Sequence, residues 1–137
     1  MPLQDLWKRN RDRLAKFLSD AVRTLSGPEP PETKHAYWKK INDLAEIHYE
    51  WNFDQLLEEA PETIAERIQA GDTPLYENLE QLADLFAVRS GQEPGMIRNR
   101  IYAQKALDIY AFITQKTATF SFERDAKEKS LKKSHTP

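Results

Sequence analysis

Two amphipathic stretches joined by a short glycine- and proline-bearing turn constrain this chain more than any other feature of it. Within residues 75–113, Leu75, Leu79, Leu82 and Phe86 share one stripe, and Tyr102, Ala106, Ile109, Tyr110 and Ile113 share another. Spacings of three and four residues place each set on one face of a helix, whereas a strand would need alternation. The SGQEPG segment between them is turn chemistry, because glycine and proline both interrupt a helix. An all-α chain follows, built of antiparallel helix pairs packed on their apolar stripes.

The same periodicity extends outward. Leu3, Leu6 or Trp7, Leu14, Phe17 or Leu18, Ala21 or Val22, and Leu25 predict a first helix from about residue 3 to 25. Three prolines in residues 26–33 predict a loop, with Thr33 positioned as an N-cap. A second helix is expected from about Lys34 to Trp51, burying Tyr37 or Trp38, Ile41, Leu44 or Ala45, His48 and Trp51. A helix broken at Pro61 should follow, with Gly71 as its C-cap and Asp72 or Thr73 capping the next helix at Pro74. After the hairpin, Ser121 is placed to cap a last helix from Phe122 to about Lys133, with Phe120 and Phe122 docking it. Residues 128–137 read as a basic, frayed tail.

At 137 residues the chain fits one domain, and 39% hydrophobic against 31% charged residues is the balance of a folded helical protein. No apolar run is long enough for a membrane span, and MPLQDLWKRN lacks the apolar region of an export signal, so a cytoplasmic setting is expected. Charge is segregated along the chain. Residues 1–40 hold nine Lys/Arg against five acids, residues 41–87 hold one against twelve, and residues 88–137 hold ten against five. Basic outer segments neutralising an acidic middle is the plain reading, and a bipolar surface for a charged partner is the functional one.

Catalytic and metal-binding constellations are missing from the sequence. His48 has no second ligand three or four residues away. The run Glu58, Glu59, Glu62 and Glu66 has no histidine at the spacing that bundle metal sites use. Ser or Cys beside His, and glycine-rich phosphate loops, are likewise not found. The expectation is therefore no enzyme, no cofactor and no metal. What stands out instead is a set of residues suited to a partner. Arg98, Arg100 and Lys105 open the fifth long helical segment, where cations oppose the helix dipole and so need an acidic neighbour or a ligand. Trp38 and Trp51 sit in an aromatic-rich stretch, and Trp is a frequent interface anchor.

The hairpin resembles a tetratricopeptide-type unit. LADLFAVRSG is similar to its first helix, with Leu82, Ala83 and Phe86 at the packing positions, and YAQKALDIY to its second, with Tyr102, Ala106 and Leu107 facing inward. The loop is longer than in the standard repeat, and the closing proline is missing after Ile113. A vaguer likeness to bacterial helical domains that end in such a hairpin implies no activity. The resemblance implies stacked helix pairs with a concave binding face. Two function classes follow: a non-catalytic helical module that binds a protein partner or itself, and, as the alternative, a small helical nucleic-acid-associated protein using the basic residues of the first helix and the C-terminal region.

Overall fold

The computed structural model describes residues 3–68, 76–92 and 96–134, with side chains from Asp12 onward and Met96 excepted. The fold is all-α. Its helices are α1 (Leu3–Leu25), α2 (Pro31–Tyr49), α3 (Phe53–Glu58), α4 (Pro61–Arg67), α5 (Tyr76–Ser90), α6 (Met96–Thr117) and α7 (Phe122–Ser134), and no strand occurs among the described residues. The expected caps at Gly71 to Pro74, the position of Leu75, part of the SGQEPG turn and the side chains of Leu3 and Leu6 lie outside the described residues.

The α5–α6 hairpin is the centre of the molecule. Phe86 meets Tyr102, Asp84 meets Tyr110 and Tyr76 meets Phe112, so one number falls as the other rises and the helices run antiparallel. Leu79, Leu82, Phe86, Tyr102, Ala106, Ile109, Tyr110 and Ile113 are all buried, as their spacing predicts. Yet α5 buries more than a stripe: Leu85 and Ser90 are covered as well as Leu82 and Phe86. The reason is that α1 packs against α5 as well, its own Leu14, Leu18, Ala21 and Leu25 buried in the same core. Gln92 ties the two together by donating to the Leu25 carbonyl at 2.5 Å.

Helix boundaries differ from expectation where proline and capping chemistry compete. Pro30 occupies the N-cap of α2 and Pro31 its first turn, so the helix begins inside the loop expected over 26–33 and Thr33 is helical. A proline at this position loses nothing, because the first amides of a helix have no internal acceptor. At the other end Glu50 adopts the left-handed conformation (φ 57°), its amide donating to Glu46 and that of Trp51 to Ala45. This αL cap reverses the chain and drops the Trp51 side chain into the core. Asn52 then caps α3 by accepting from the amides of Asp54 and Gln55 at 3.0 and 3.3 Å. Pro61 starts a separate helix, α4.

One result is a continuous run of aromatic contacts. Phe17, Tyr49, Trp51, Phe53, Trp38, Tyr102 and Phe86 touch in that order, with centroid spacings from 5.1 to 6.4 Å. It joins α1, α2, α3, α5 and α6 through rings that pack edge-on or offset, the geometries their quadrupoles favour.

Two expectations about the periphery are overturned. His48 is exposed: the buried face of α2 is set by Trp38, Ile41 and Ala45, and His48 falls off it. Phe120 and Phe122 do not dock α7 but stand 59% and 85% exposed, packed edge-to-face on each other at 4.9 Å. The helix is held by charge instead. Arg124, itself buried, donates to Thr114 Oγ1, Glu80 and the Thr119 carbonyl at 2.9, 3.0 and 2.8 Å. Lys127 reaches Glu80 and Asp84 at 3.1 Å. Ser121 does cap the helix, accepting from the Arg124 amide. The helix runs to Ser134, close to its expected end near Lys133, and buries Leu131.

Candidate functional site

Between α2, the α2–α3 connection and the start of α6 lies a cleft of about 330 Å³. It forms because α2 presents His35, Trp38, Lys39, Asn42, Asp43 and Glu46 along one side, positions that recur at helical spacing. Trp38, Trp51 and Tyr102 make its floor, each nearly covered by the aromatic run beneath. Arg98 and Asp54 contribute from α6 and α3.

Arg89 is the deepest charged group in the cleft. Its guanidinium carbon lies 5.2 Å from the centre of the Trp38 ring, and its Nη2 is 3.1 Å from His35 Nδ1. Because arginine can only donate, the contact has His35 accepting through Nδ1. Stacking on an indole face partly replaces the water that this cation loses on burial.

Charge in the cleft is ordered by position. His35 and Lys39 lie towards the first turns of α2, while Asp43 and Glu46 lie towards its end, followed by Asp54 at the head of α3. Arg89 sits over Trp38, and Arg98 lies one turn before Tyr102, which touches the same Trp38. The cleft therefore carries charge of both signs around an aromatic floor, its acids lying towards the end of α2 and the head of α3. The side chains of Lys39, Asp43, Glu46 and Arg98 form no ion pair among the described residues.

Of the five residues singled out in the sequence, the structure brings three to this cleft: Trp38, Trp51 and Arg98. The tryptophans are core residues, 7% and 6% exposed, so they form a floor rather than projecting anchors. Arg100 is exposed but outside the cleft. Lys105 is not on the surface at all. It is buried beneath the α3–α4 junction, where its ammonium donates to the Glu59 carbonyl, and burial lowers its pKa against the pull of Asp108 and Glu59. Arg89 and His35 were missed. The signal for Arg89 was present, since it continues the stripe of Leu82 and Phe86 by one further step, and an arginine in register with a buried face needs a reason.

The other charged cluster is structural. Tyr110 donates to Asp84 at 2.6 Å, and Asp84 and Glu80 are engaged by Lys127 and Arg124. Burial raises the Tyr110 pKa well above its usual value, and the Asp84 carboxylate reinforces the shift. Among the described residues there is no group of three His, Cys, Asp or Glu side chains placed to hold a metal ion, and no helix is long and apolar enough to cross a membrane.

Family models, curated proteins and solved structures give no match to this chain.

Proposed function

We propose that the chain is a non-catalytic helical module that recognises a protein partner, operating in the cytoplasm and presenting the α2–α6 cleft as its recognition surface. The single observation that supports this reading is the cleft itself: aromatic area, partly exposed charge of both signs and helices anchored by a contiguous core. Its volume of about 330 Å³ lies at the low end of the range for ligand clefts, roughly 300–1,000 Å³. Rigid aromatic surface rimmed by polar groups is the composition of interface hot spots. The tetratricopeptide-like likeness of α5 and α6 fits the same role, since helix-pair stacking is an architecture of binding surfaces.

The nucleic-acid alternative has less support. Arg124, Lys127 and Lys129 of the basic C-terminal segment pair with Glu80, Asp84 and Asp125. Selection of a random-peptide display library on the immobilised chain tests the module. Convergent enrichment of peptides that a soluble copy of the chain displaces is expected. A library that fails to converge, together with salt-sensitive retention of an oligonucleotide, would reverse the order of the two readings.

A further inference from the structure

Two phenylalanines meet water side by side. Phe120 and Phe122 pack edge-to-face at 4.9 Å on the α6–α7 connection, 59% and 85% exposed, and apolar area held in water is unfavourable. Next to them opens a groove of about 710 Å³, with α7 along one side and the ends of α1 and α5 along the other. At its head, beside Phe122, Lys127 pairs with Asp84 and Glu123. Towards its tail the lining is small and apolar: Val22, Val88, Gly91 and Leu131, with Ser90 and Ser134 between them. Those two hydroxyls donate to the carbonyls of Ala87 and Ser130 in their own helices, at 2.6 and 3.0 Å, so their protons are already engaged.

We propose that two copies of the chain pair through this face, the Phe120 and Phe122 rings of each seated in the tail of the other's groove. The occupant follows from where the two features lie. A ring pair and a groove that adjoin along one helix are self-complementary about a two-fold axis. With α7 set antiparallel to its copy, the start of each helix meets the end of the other. From Glu123 to Ser134 is about 16 Å at the helical rise of about 1.5 Å per residue, so the incoming rings lie beyond the charged head and over the apolar tail. Had rings and groove stood on opposite sides of the molecule, the same contact would propagate into a filament instead of closing. The area involved sets a modest affinity. At about 200 Å² for a phenylalanine, and counting the groove wall each ring covers, the exchange removes on the order of 1,150 Å² from water, just under the roughly 1,200 Å² at which stable interfaces begin. The groove shares no lining residue with the α2–α6 cleft, so the pairing stands apart from the partner-recognition reading.

Sedimentation velocity of the full chain, from about 1 to 500 µM, tests the pairing by mass action. A monomer–dimer equilibrium with no larger species is expected, with a Kd on the order of tens of micromolar. Two variants change exposed positions and should leave the melt of the dilute protein unchanged: F120S/F122S removes the rings, and S134W fills the groove's tail. Each should weaken the dimer tenfold or more. S134W is the sharper of the two, because it adds apolar surface and yet should reduce association. Raising salt from about 50 to 500 mM should leave the dimer intact, since apolar burial is not screened. A monomer throughout the range, assemblies that grow beyond two copies, or a dimer that survives either variant overturns the proposal. Dissociation by salt overturns it as well, and would assign self-association to the segregated charge instead.

Discussion

Tyr110 shows how one hydroxyl can tie three helices. Its bond to Asp84 joins α6 to α5, and Asp84 in turn holds Lys127 of α7. Tyr110→Phe removes a hydrogen bond to a charged acceptor in a covered site and should cost about 2 kcal/mol, measured by denaturant unfolding. The tyrosine also sets an alkaline limit. Below its ordinary pKa of 10.0 both folded and unfolded states keep the proton. Above it the unfolded chain releases the proton while the native state holds on, so stability falls as pH rises, by up to about 1.4 kcal/mol per pH unit. Tyr49, raised by burial, acts in the same direction, whereas Lys105, lowered by burial, acts oppositely just below 10.5. The Tyr110→Phe variant should therefore lose stability less steeply than the parent between about pH 10 and 11. Parallel slopes would show that the proton on Tyr110 is not linked to folding.

At the level of helices and their connections, apolar periodicity was legible and polar anchoring was not. The stripes through Leu79, Leu82 and Phe86 and through Tyr102, Ala106 and Ile109 could be read directly, because burial acts at every third or fourth residue. The position of α7 could not. Its docking depends on Arg124 reaching Glu80, forty-four residues back, and no local pattern encodes that contact. For the cleft, Trp38, Trp51 and Arg98 could be named, but not their meeting with Arg89, which needs the α5–α6 hairpin to fold back over α2. Two substitutions probe the connections. Asn52→Ala deletes the cap of α3 and should cost about 1 kcal/mol in thermal or urea unfolding. Glu50→Gly relieves a side chain from the left-handed region and should stabilise by about 0.5 to 1 kcal/mol, the relief exceeding the added freedom of the unfolded chain. A destabilised Glu50→Gly would mean that this αL turn is not the conformation of the folded chain.

The whole molecule is unevenly cemented. α1, α2, α3, α5 and α6 share the aromatic run and the apolar core, while α7 contributes one buried apolar side chain, Leu131, and relies on Arg124 and Lys127 for the rest. Arg124→Ala should cost about 2 to 4 kcal/mol, because Glu80 loses its most buried partner. Hydrogen exchange offers the companion measurement: amides of α7 should exchange through a partial opening well before those of α5 and α6, and faster still in Arg124→Ala. Uniform protection across α5, α6 and α7 would contradict this division.

The central place of α5 also orders events in time. Its partner α6 follows within a few residues, so their hairpin closes at little entropic cost, but α1, which covers the opposite face, lies some fifty residues upstream. The α5–α6 pair should accordingly assemble in the folding transition state and α1 join afterwards. Substitutions such as Leu82→Ala would then slow refolding, whereas Leu18→Ala, on α1, would chiefly hasten unfolding.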